Sequence, residues 1–487
     1  MLATMTFCYK IFFTSRHVVI PHRPLPSHLR CVSNLYMINN ALLINPWIYD
    51  FSAFDYWSKP LGLLSLASLL RVNGISVSLV DCLDPYSIDN LRETRKSVPK
   101  RKESGEGKYA KANIAKPDVL RFFARNYNRY GISPGSFLRS VTSIPRPDVI
   151  MITSMMTYWY PGVFYLISLL HDTFPGIPVV LGGNYVSLCP SHASTSGADY
   201  CLPGPAERSI PRLLKDLFDH DAWFIPDPEN LDSYPYPSFD LIDHPVQIPI
   251  LTSRGCPYRC SYCASHVLNE AFRRRDPIRV VDEIEYWHRH LGICHFSFYD
   301  DALLTDHEET AVPLLKEIIR RKLLLNFHCP NGLHLREITS ELSKLMFEAG
   351  FKTIRFGFET SDVTRQSTTG GKTDNSDFIQ ALIHLKQAGY QNQQIGVYLL
   401  CGLPGQHAEE VRNSIRFVHS CGARPIIAEY SPIPGTVLWN DAIASSPFPI
   451  ADEPLFQNNS LIPCRNEHLT YEMYQALKIF SKSPGSA

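Results

Sequence analysis

The chain has 487 residues, 45% of them hydrophobic and 19% charged, with 47 Lys plus Arg balanced by 47 Asp plus Glu. That length exceeds one ordinary core and implies two domains or more, and zero formal charge excludes a global attraction to nucleic acid or an anionic membrane. Thirteen cysteines, odd in number and scattered except for three, exclude a secreted disulfide framework and favour a reducing cytoplasm with metal chemistry.

The first 35 residues carry Lys10, Arg16, Arg23 and Arg30 and no Asp or Glu. That composition suits a transit peptide or a misassigned start, and a disordered or misassigned extension is expected there. From residue 36 strands alternate with helices. Strands are expected over 36–45, 76–81, 148–154, 179–181 and 199–202, with helices over 60–73, 163–173 and 206–218. Strands separated by helix-length segments imply a doubly wound parallel sheet over 36–223, which binds ligands at the carboxyl ends of its strands. Those ends are Asn45-Pro46, Asp81-Cys82, Thr153-Ser154, Gly182-Gly183 and Gly204-Pro205-Ala206-Glu207. An insertion over 86–146 contains nine Lys or Arg against three Glu between Arg92 and Lys116, and reads as a solvated, mobile loop. It lacks the interleaved aromatics of a single-strand nucleic-acid platform. A proline-rich linker is expected over 224–246.

Beyond it the alternation is regular. Strands over 248–253, 295–300, 325–329, 353–359, 394–401 and 425–431 enclose helices over 277–290, 308–321, 340–349, 377–388 and 409–420. Six such strands make a partial (β/α)6 barrel over 247–436, with its chemistry at the strands' carboxyl ends. Residues 437–487 are left as a C-terminal tail. No run of about 18 apolar residues is present, so no transmembrane helix is expected.

Immediately after the first barrel strand, Cys256, Cys260 and Cys263 stand in a C-x3-C-x2-C spacing. Three thiolates on one loop can hold three irons of a [4Fe–4S] cluster and leave the fourth open to a small chelating molecule, whereas ferredoxin-type clusters use four cysteines. With His266 the same loop has the composition of a structural Cys3His zinc site, but such sites usually draw ligands from two separated knuckles. A zinc knuckle also has no reason to open a six-fold βα series.

The loop resembles that of the radical S-adenosylmethionine (SAM) superfamily, and the sheet ahead of it resembles the cobalamin-binding domain of that superfamily's cobalamin-dependent class. The resemblance spans roughly residues 36–436. It implies a cluster on Cys256, Cys260 and Cys263 that reductively cleaves SAM to a 5′-deoxyadenosyl radical. It also implies SAM contacts: Tyr262 through its backbone to adenine, Asp300 and Asp301 to the methionyl ammonium, and Gly357 and Glu359 to the ribose. Gly402 and Pro404, in Cys401-Gly-Leu-Pro-Gly405, would lie along the adenine, and Ser431–Thr436 resembles the superfamily's Pro-x-Pro-Gly-Thr segment. In the N-terminal half Ser154, Gly182, Gly183, Gly204 and Glu207 take the cobalamin-contact places. The Asp-x-His-x-x-Gly motif that supplies a lower axial histidine is absent; its place reads Asp81-Cys82-Leu83-Asp84-Pro85. Cobalamin is therefore bound without a histidine ligand, or the domain has lost it.

Asn331 and His334 are further candidates for substrate or cofactor contact. Cys329 and Cys401 rank below them as strand cysteines whose default is buried filler. Arg355, on the opposite strand face from Phe356, reads as structural.

The resemblance implies an enzyme that acts on an unactivated C–H position by cobalamin-dependent methyl transfer. A second reading is cyclisation, rearrangement or methylthio transfer without functional cobalamin; a third, of another class, is a sensor using cluster and cobalamin. The expected partners are a small-molecule substrate and a low-potential ferredoxin or flavodoxin in the cytoplasm, with no membrane and no nucleic acid.

Overall fold

A computed structural model of the chain describes residues 37–483; the basic extension expected over 1–35 lies outside them. The first strands are β1 (Asn40–Asn45), β2 (Ile48–Asp50), β3 (Ser76–Asp81), β4 (Lys111–Asn113), β5 (Asn128–Tyr130), β6 (Val149–Ile152), β7 (Val179–Gly182) and β8 (Tyr200–Leu202). Five of these form a parallel sheet in the order β3-β1-β6-β7-β8, as the alternation predicts. The strand expected over 148–154 stops at Ile152: Thr153 N still donates to Ile44 O at 3.3 Å, and Ser154 then turns away to hydrogen-bond Gly182 O and Asn184 N.

The second half holds β9 (Gln247–Ile250), β10 (Ser253–Arg254), β11 (Arg273–Arg274), β12 (His295–Phe298), β13 (Asn326–His328), β14 (Phe351–Glu359), β15 (Ile395–Cys401) and β16 (Arg424–Glu429). β9, β12, β13, β14, β15 and β16 pair in sequential order, all parallel, which is the partial barrel. Local signals set the intervening helices. Pro277–Leu291 begins on the Asp276 cap and stops at Gly292, and Ser340–Ala349 runs from Thr339 to Gly350. Asn375–Ala388 opens with a reciprocal Asp374–Asp377 capping box and ends at Gly389. Each stop is a glycine at positive φ, where a side chain would be strained.

The barrel strands alternate sharply. Phe296, Phe298, Phe327, Ile354, Phe356, Ile395 and Val397 face the helices in one apolar cluster. The intervening residues Gln247, Ser297, His328, Thr353, Arg355 and Tyr398 face the lumen, joined by contacts such as His328 Nδ1 to Thr353 Oγ1 at 3.1 Å. Burial of the outward face drives folding; the inward face is free to be polar.

The insertion is not a loose loop. β2, β5 and β4 form an antiparallel sheet, and Arg101 and Asp55 make a buried ion pair. Trp57, held at φ 63°, stacks on His328 at 4.5 Å between ring centroids. Its indole donates to Ser104 O at 2.7 Å, and its carbonyl accepts from Gln247 Nε2 at 3.0 Å and from the Tyr299 hydroxyl. The insertion and the 51–60 loop thus plug the barrel lumen. Several of the charges that suggested a solvated loop have partners: Arg101 pairs with Asp55 and Lys102 with Glu106, while Lys96 and Lys116 donate to the backbone carbonyls of Lys111 and Phe123.

The linker and the tail are built in as well. Phe239 of the linker is wholly buried against Trp287, at 5.4 Å. Leu455, Phe456, Leu461 and Cys464 of the tail share a core with Phe51, Phe123 and Tyr127 of the first half and with Leu403 and Tyr430 of the barrel. Asn458 Nδ2 donates to buried Asp50 at 2.8 Å, and Tyr160 donates to Glu453 at 3.1 Å. Residues 38–483 accordingly pack as one unit. Among the described residues no helix is long and apolar enough to cross a membrane.

Candidate active site

The cysteine loop leaves β9 and is fixed at both ends. Behind it, Asp300 is buried at the end of β12. Its Oδ1 accepts from Thr252 N at 2.9 Å, Thr252 Oγ1 at 2.7 Å and Ser253 Oγ at 2.7 Å. Burial pushes the Asp300 carboxyl up to about 6, against the pull of those donors. The structure therefore spends Asp300 on bracing the loop rather than aiming it at a ligand. Asn331 works alongside, donating to Tyr299 O at 2.9 Å and Asp300 O at 3.2 Å. Asp301 is exposed, and its Oδ2 takes the Ser265 hydroxyl at 2.6 Å. Of the two carboxylates it is Asp301 that reaches the mouth. Replacing Asp300 with alanine strands buried donors, and the expected loss is about 2–3 kcal/mol, measured by urea unfolding.

The far side of the loop meets a segment that sequence reasoning missed. Ser261 N donates to Thr369 O at 3.2 Å, and a Cβ on Gly370 would come within 3.0 Å of Cys260 Cα and 3.4 Å of its Sγ. Lys372 follows. Its Nζ lies 2.6 Å from Glu359 Oε1 and 5.9 Å from the centre of the Tyr262 ring, and both members of the ion pair are nearly buried. Burial alone would lower the Lys372 ammonium; the Glu359 carboxylate and the Cys260 sulfur outweigh it and hold it above its usual range. Glu359 sits at φ 71°, beyond a bulge in the β14–β15 ladder that turns its side chain onto the mouth. A Cβ on Gly357 would meet both Glu359 Oε1 and Lys372 Nζ at 2.7 Å, so glycine makes room for the pair. The available signal was Gly370-Gly371-Lys372 close behind Glu359, which reads in sequence as an ordinary exposed turn.

Burial pushes Cys256 up to about 11 and raises Cys263, with Asp301 and the neighbouring thiols adding to it. Ser261 Oγ is buried without a partner. His266 lies in the helix Ser265–Leu268, which follows the loop. A tetrahedral zinc would draw thiolates to within roughly 4 Å of one another; an iron–sulfur cube spreads them over three irons. The loop, its glycine cradle and the orphaned hydroxyl fit the cube.

His334, at the mouth after β13, is buried against Tyr258 at 4.4 Å between rings, with Nδ1 unpartnered. Burial, then the Lys372 charge, pushes it down to about 3, so it is neutral. Gly402 is enclosed: its N donates to Gln406 Oε1 at 2.8 Å, and a Cβ would meet Ile462 Cγ2 of the tail at 3.0 Å. Pro404 O accepts from Arg365 at 3.4 Å. Cys329, one residue beyond the end of β13, and Cys401, the last residue of β15, are buried, and burial raises both thiols.

The ligand edge of the first half faces this mouth. The helix Asn184–Leu188, which follows the Gly182-Gly183 turn, packs on the helix Ser265–Leu268, which follows Cys263. Ser154 Oγ donates to Gly182 O at 2.6 Å, and a Cβ on Gly183 (φ 97°) would lie 2.3 Å from Ser154 O. Gly183→Ala is expected to cost about 2–4 kcal/mol through φ strain and backbone collision, read as a lowered urea midpoint at unchanged slope. Gly204 is open, and Met155 and Met156 at the same edge are exposed, which suits a broad, largely apolar ligand. Glu207 is otherwise engaged. It pairs with Arg254, two residues ahead of Cys256, and accepts from Tyr234 at 3.0 Å. Burial raises its carboxyl, but Arg254 outweighs that and holds it below its usual range. Expected as a cofactor contact, Glu207 instead joins the two halves.

Residues 250–418 match the model of the Radical SAM superfamily. An uncharacterized methyltransferase of Pyrococcus horikoshii is 24% identical over 334 residues, 62% of this chain and 70% of that protein. One of Synechocystis sp. is 24% identical over 280 residues, and the chain spans half of its length. The fold is shared with the radical SAM methyltransferase TsrM of Kitasatospora setae, solved with tryptophan and a SAM analogue (TM-score 0.59, 18% identity, 83% of this chain and 76% of that one). TsrM has also been solved with cobalamin and a [4Fe-4S] cluster, at the same TM-score.

Proposed function

We propose that this chain is a cobalamin-dependent radical SAM methyltransferase acting on a small molecule. One observation carries the reading: the helix Asn184–Leu188, which follows the Gly182-Gly183 turn at the first sheet's ligand edge, packs on the helix that leaves the cysteine loop, so a ligand on that edge would face the barrel mouth. A resident cluster, SAM and cobalamin would together supply a carbon radical on the substrate and a methyl group to quench it.

The residues have distinct parts in this proposal. Cys256, Cys260 and Cys263 hold three irons, and Asp300 keeps their loop in place through Thr252 and Ser253. Asp301 and Glu359 offer carboxylate oxygens to the ammonium and ribose hydroxyls of SAM, with Lys372 orienting Glu359. Tyr262, Gly357, Gly402 and Pro404 bound the nucleoside space. Ser154, Gly182, Gly183 and Gly204 shape the cobalamin edge, with no histidine ligand in the Asp81–Pro85 segment. The Trp57 plug closes the lumen, so water is excluded from that side. A low-potential ferredoxin or flavodoxin would supply the electron, and a reducing cytoplasm suits that chemistry.

The test is anaerobic reconstitution with iron, sulfide and cobalamin, then dithionite and SAM. Retained corrinoid with 5′-deoxyadenosine release supports the proposal. Deoxyadenosine without retained corrinoid turns it toward cyclisation or rearrangement, and corrinoid with no SAM turnover toward a sensor.

A further inference from the structure

The cysteine loop is an excursion closed by a two-residue antiparallel ladder, in which Ser253 pairs with Arg274 and Arg254 with Arg273. Arg254 stands at the loop's entrance, two residues ahead of Cys256, and Gly255 between them sits at φ 80°. A Cβ on Gly255 would meet Ala271 O at 2.7 Å, so the entrance is pressed onto the exit. The linker grips this ladder from outside. Glu229 takes Arg273 with both carboxylate oxygens, Nε to Oε2 at 2.8 Å, and Asp232 takes Arg275 Nε at 3.2 Å and Asp276 N at 2.7 Å.

The Arg254 contact differs in where its partner stands. Glu207 lies in the first turn of the helix Ala206–Phe218, three residues past Gly204, at the carboxyl-end corner of the first sheet. Its side chain is 15% exposed, against 68% for Glu229 and 73% for Glu270, which pairs with Arg208 of the same helix. The Arg254 guanidinium also lies over the Tyr234 ring at 4.5 Å, and Tyr234 donates its hydroxyl to Glu207 at 3.0 Å. Charge, ring and hydroxyl together fix one geometry, which an exposed pair would not. Packing behind the guanidinium is incomplete: with Leu61, Ser65 and Tyr236 it lines a cavity of about 50 Å³. These contacts, rather than dense core, hold the loop's entrance on that side.

We propose that Arg254 is a positioning residue that couples the cobalamin edge to the cluster: Glu207, at the corner where a corrinoid would bind, holds Arg254 and with it the loop that carries Cys256. The inference rests on the cobalamin reading of that edge and adds a linkage between the two cofactor sites. Methyl transfer needs the two groups at a set separation, and a misplacement of about 1 Å costs on the order of 100-fold in rate. Linkage is reciprocal, so a loop ordered by its cluster tightens the corrinoid in turn.

The experiment measures hydroxocobalamin affinity of the full chain by anaerobic equilibrium dialysis, with the cluster reconstituted and after its removal by chelation. Wild type is expected to bind the corrinoid at least about 5-fold more tightly with the cluster in place. Arg254→Met and Glu207→Gln should bring that ratio to about 1 at equal iron per chain, with Arg254→Lys between. Glu207→Gln keeps the side chain's shape and an acceptor for Tyr234, so it serves where Arg254→Met does not fold. Arg208→Met removes the exposed Arg208–Glu270 contact of the same helix and should keep the wild-type ratio. No wild-type difference, an undiminished ratio in Arg254→Met and Glu207→Gln, or an equal loss in Arg208→Met overturns the proposal. Corrinoid bound without linkage leaves the cobalamin reading standing. No corrinoid bound in either state, beside 5′-deoxyadenosine release on the same sample, removes that reading and this one with it.

Discussion

Cys260→Ala is expected to abolish 5′-deoxyadenosine formation and to leave the reconstituted protein without its [4Fe–4S] absorbance. Cys260 is the most enclosed of the three cysteines: it is buried, Gly370 presses on its backbone, and Ser261 is tied to Thr369. Two remaining thiolates cannot retain three irons of a cube. Because the alanine is smaller than the thiol and the loop is braced from Asp300, folding should survive. Iron content, absorbance and deoxyadenosine are to be measured beside a circular dichroism spectrum. Full iron retention with unchanged SAM turnover would refute the assignment of the loop.

Lys372→Met should have the next largest effect, and on two quantities. Glu359 loses its ion-pair partner at a nearly buried position, and breaking such a pair costs about 3–5 kcal/mol when the other charge stays behind. The double variant Lys372→Met/Glu359→Gln should recover part of this, giving a coupling above about 1 kcal/mol in a double-mutant cycle. SAM binding, read by equilibrium dialysis on reconstituted protein, should weaken roughly 10- to 150-fold, the value of one charge-assisted hydrogen bond of about 1.5–3 kcal/mol. Additive single and double variants with undiminished SAM affinity would reduce the pair to a surface contact.

What the chain alone determined is what repeats locally. The C-x3-C-x2-C spacing fixes three thiolates on one turn, whatever the surroundings. Strand and helix alternation exposed both parallel sheets, because the apolar strand runs, such as buried Ile354 and Phe356 either side of Arg355 in β14, and the Asp276, Thr339 and Asp374 caps act within a few residues. Tertiary structure decided the pairings between distant segments: Lys372 with Glu359, Glu207 with Arg254, Asn458 with Asp50, and Trp57 with His328. Each joins residues whose own neighbourhoods are unremarkable. A basic stretch looks solvated until Asp55 is brought to Arg101, a tail looks idle until Phe456 and Leu461 meet Phe123, and an aspartate at a strand end looks like a ligand until Thr252 and Ser253 fold onto it. Periodicity carries the hydrophobic pattern that makes an element; which charge finds which partner depends on the packing of those elements, and that is set only once the whole core closes.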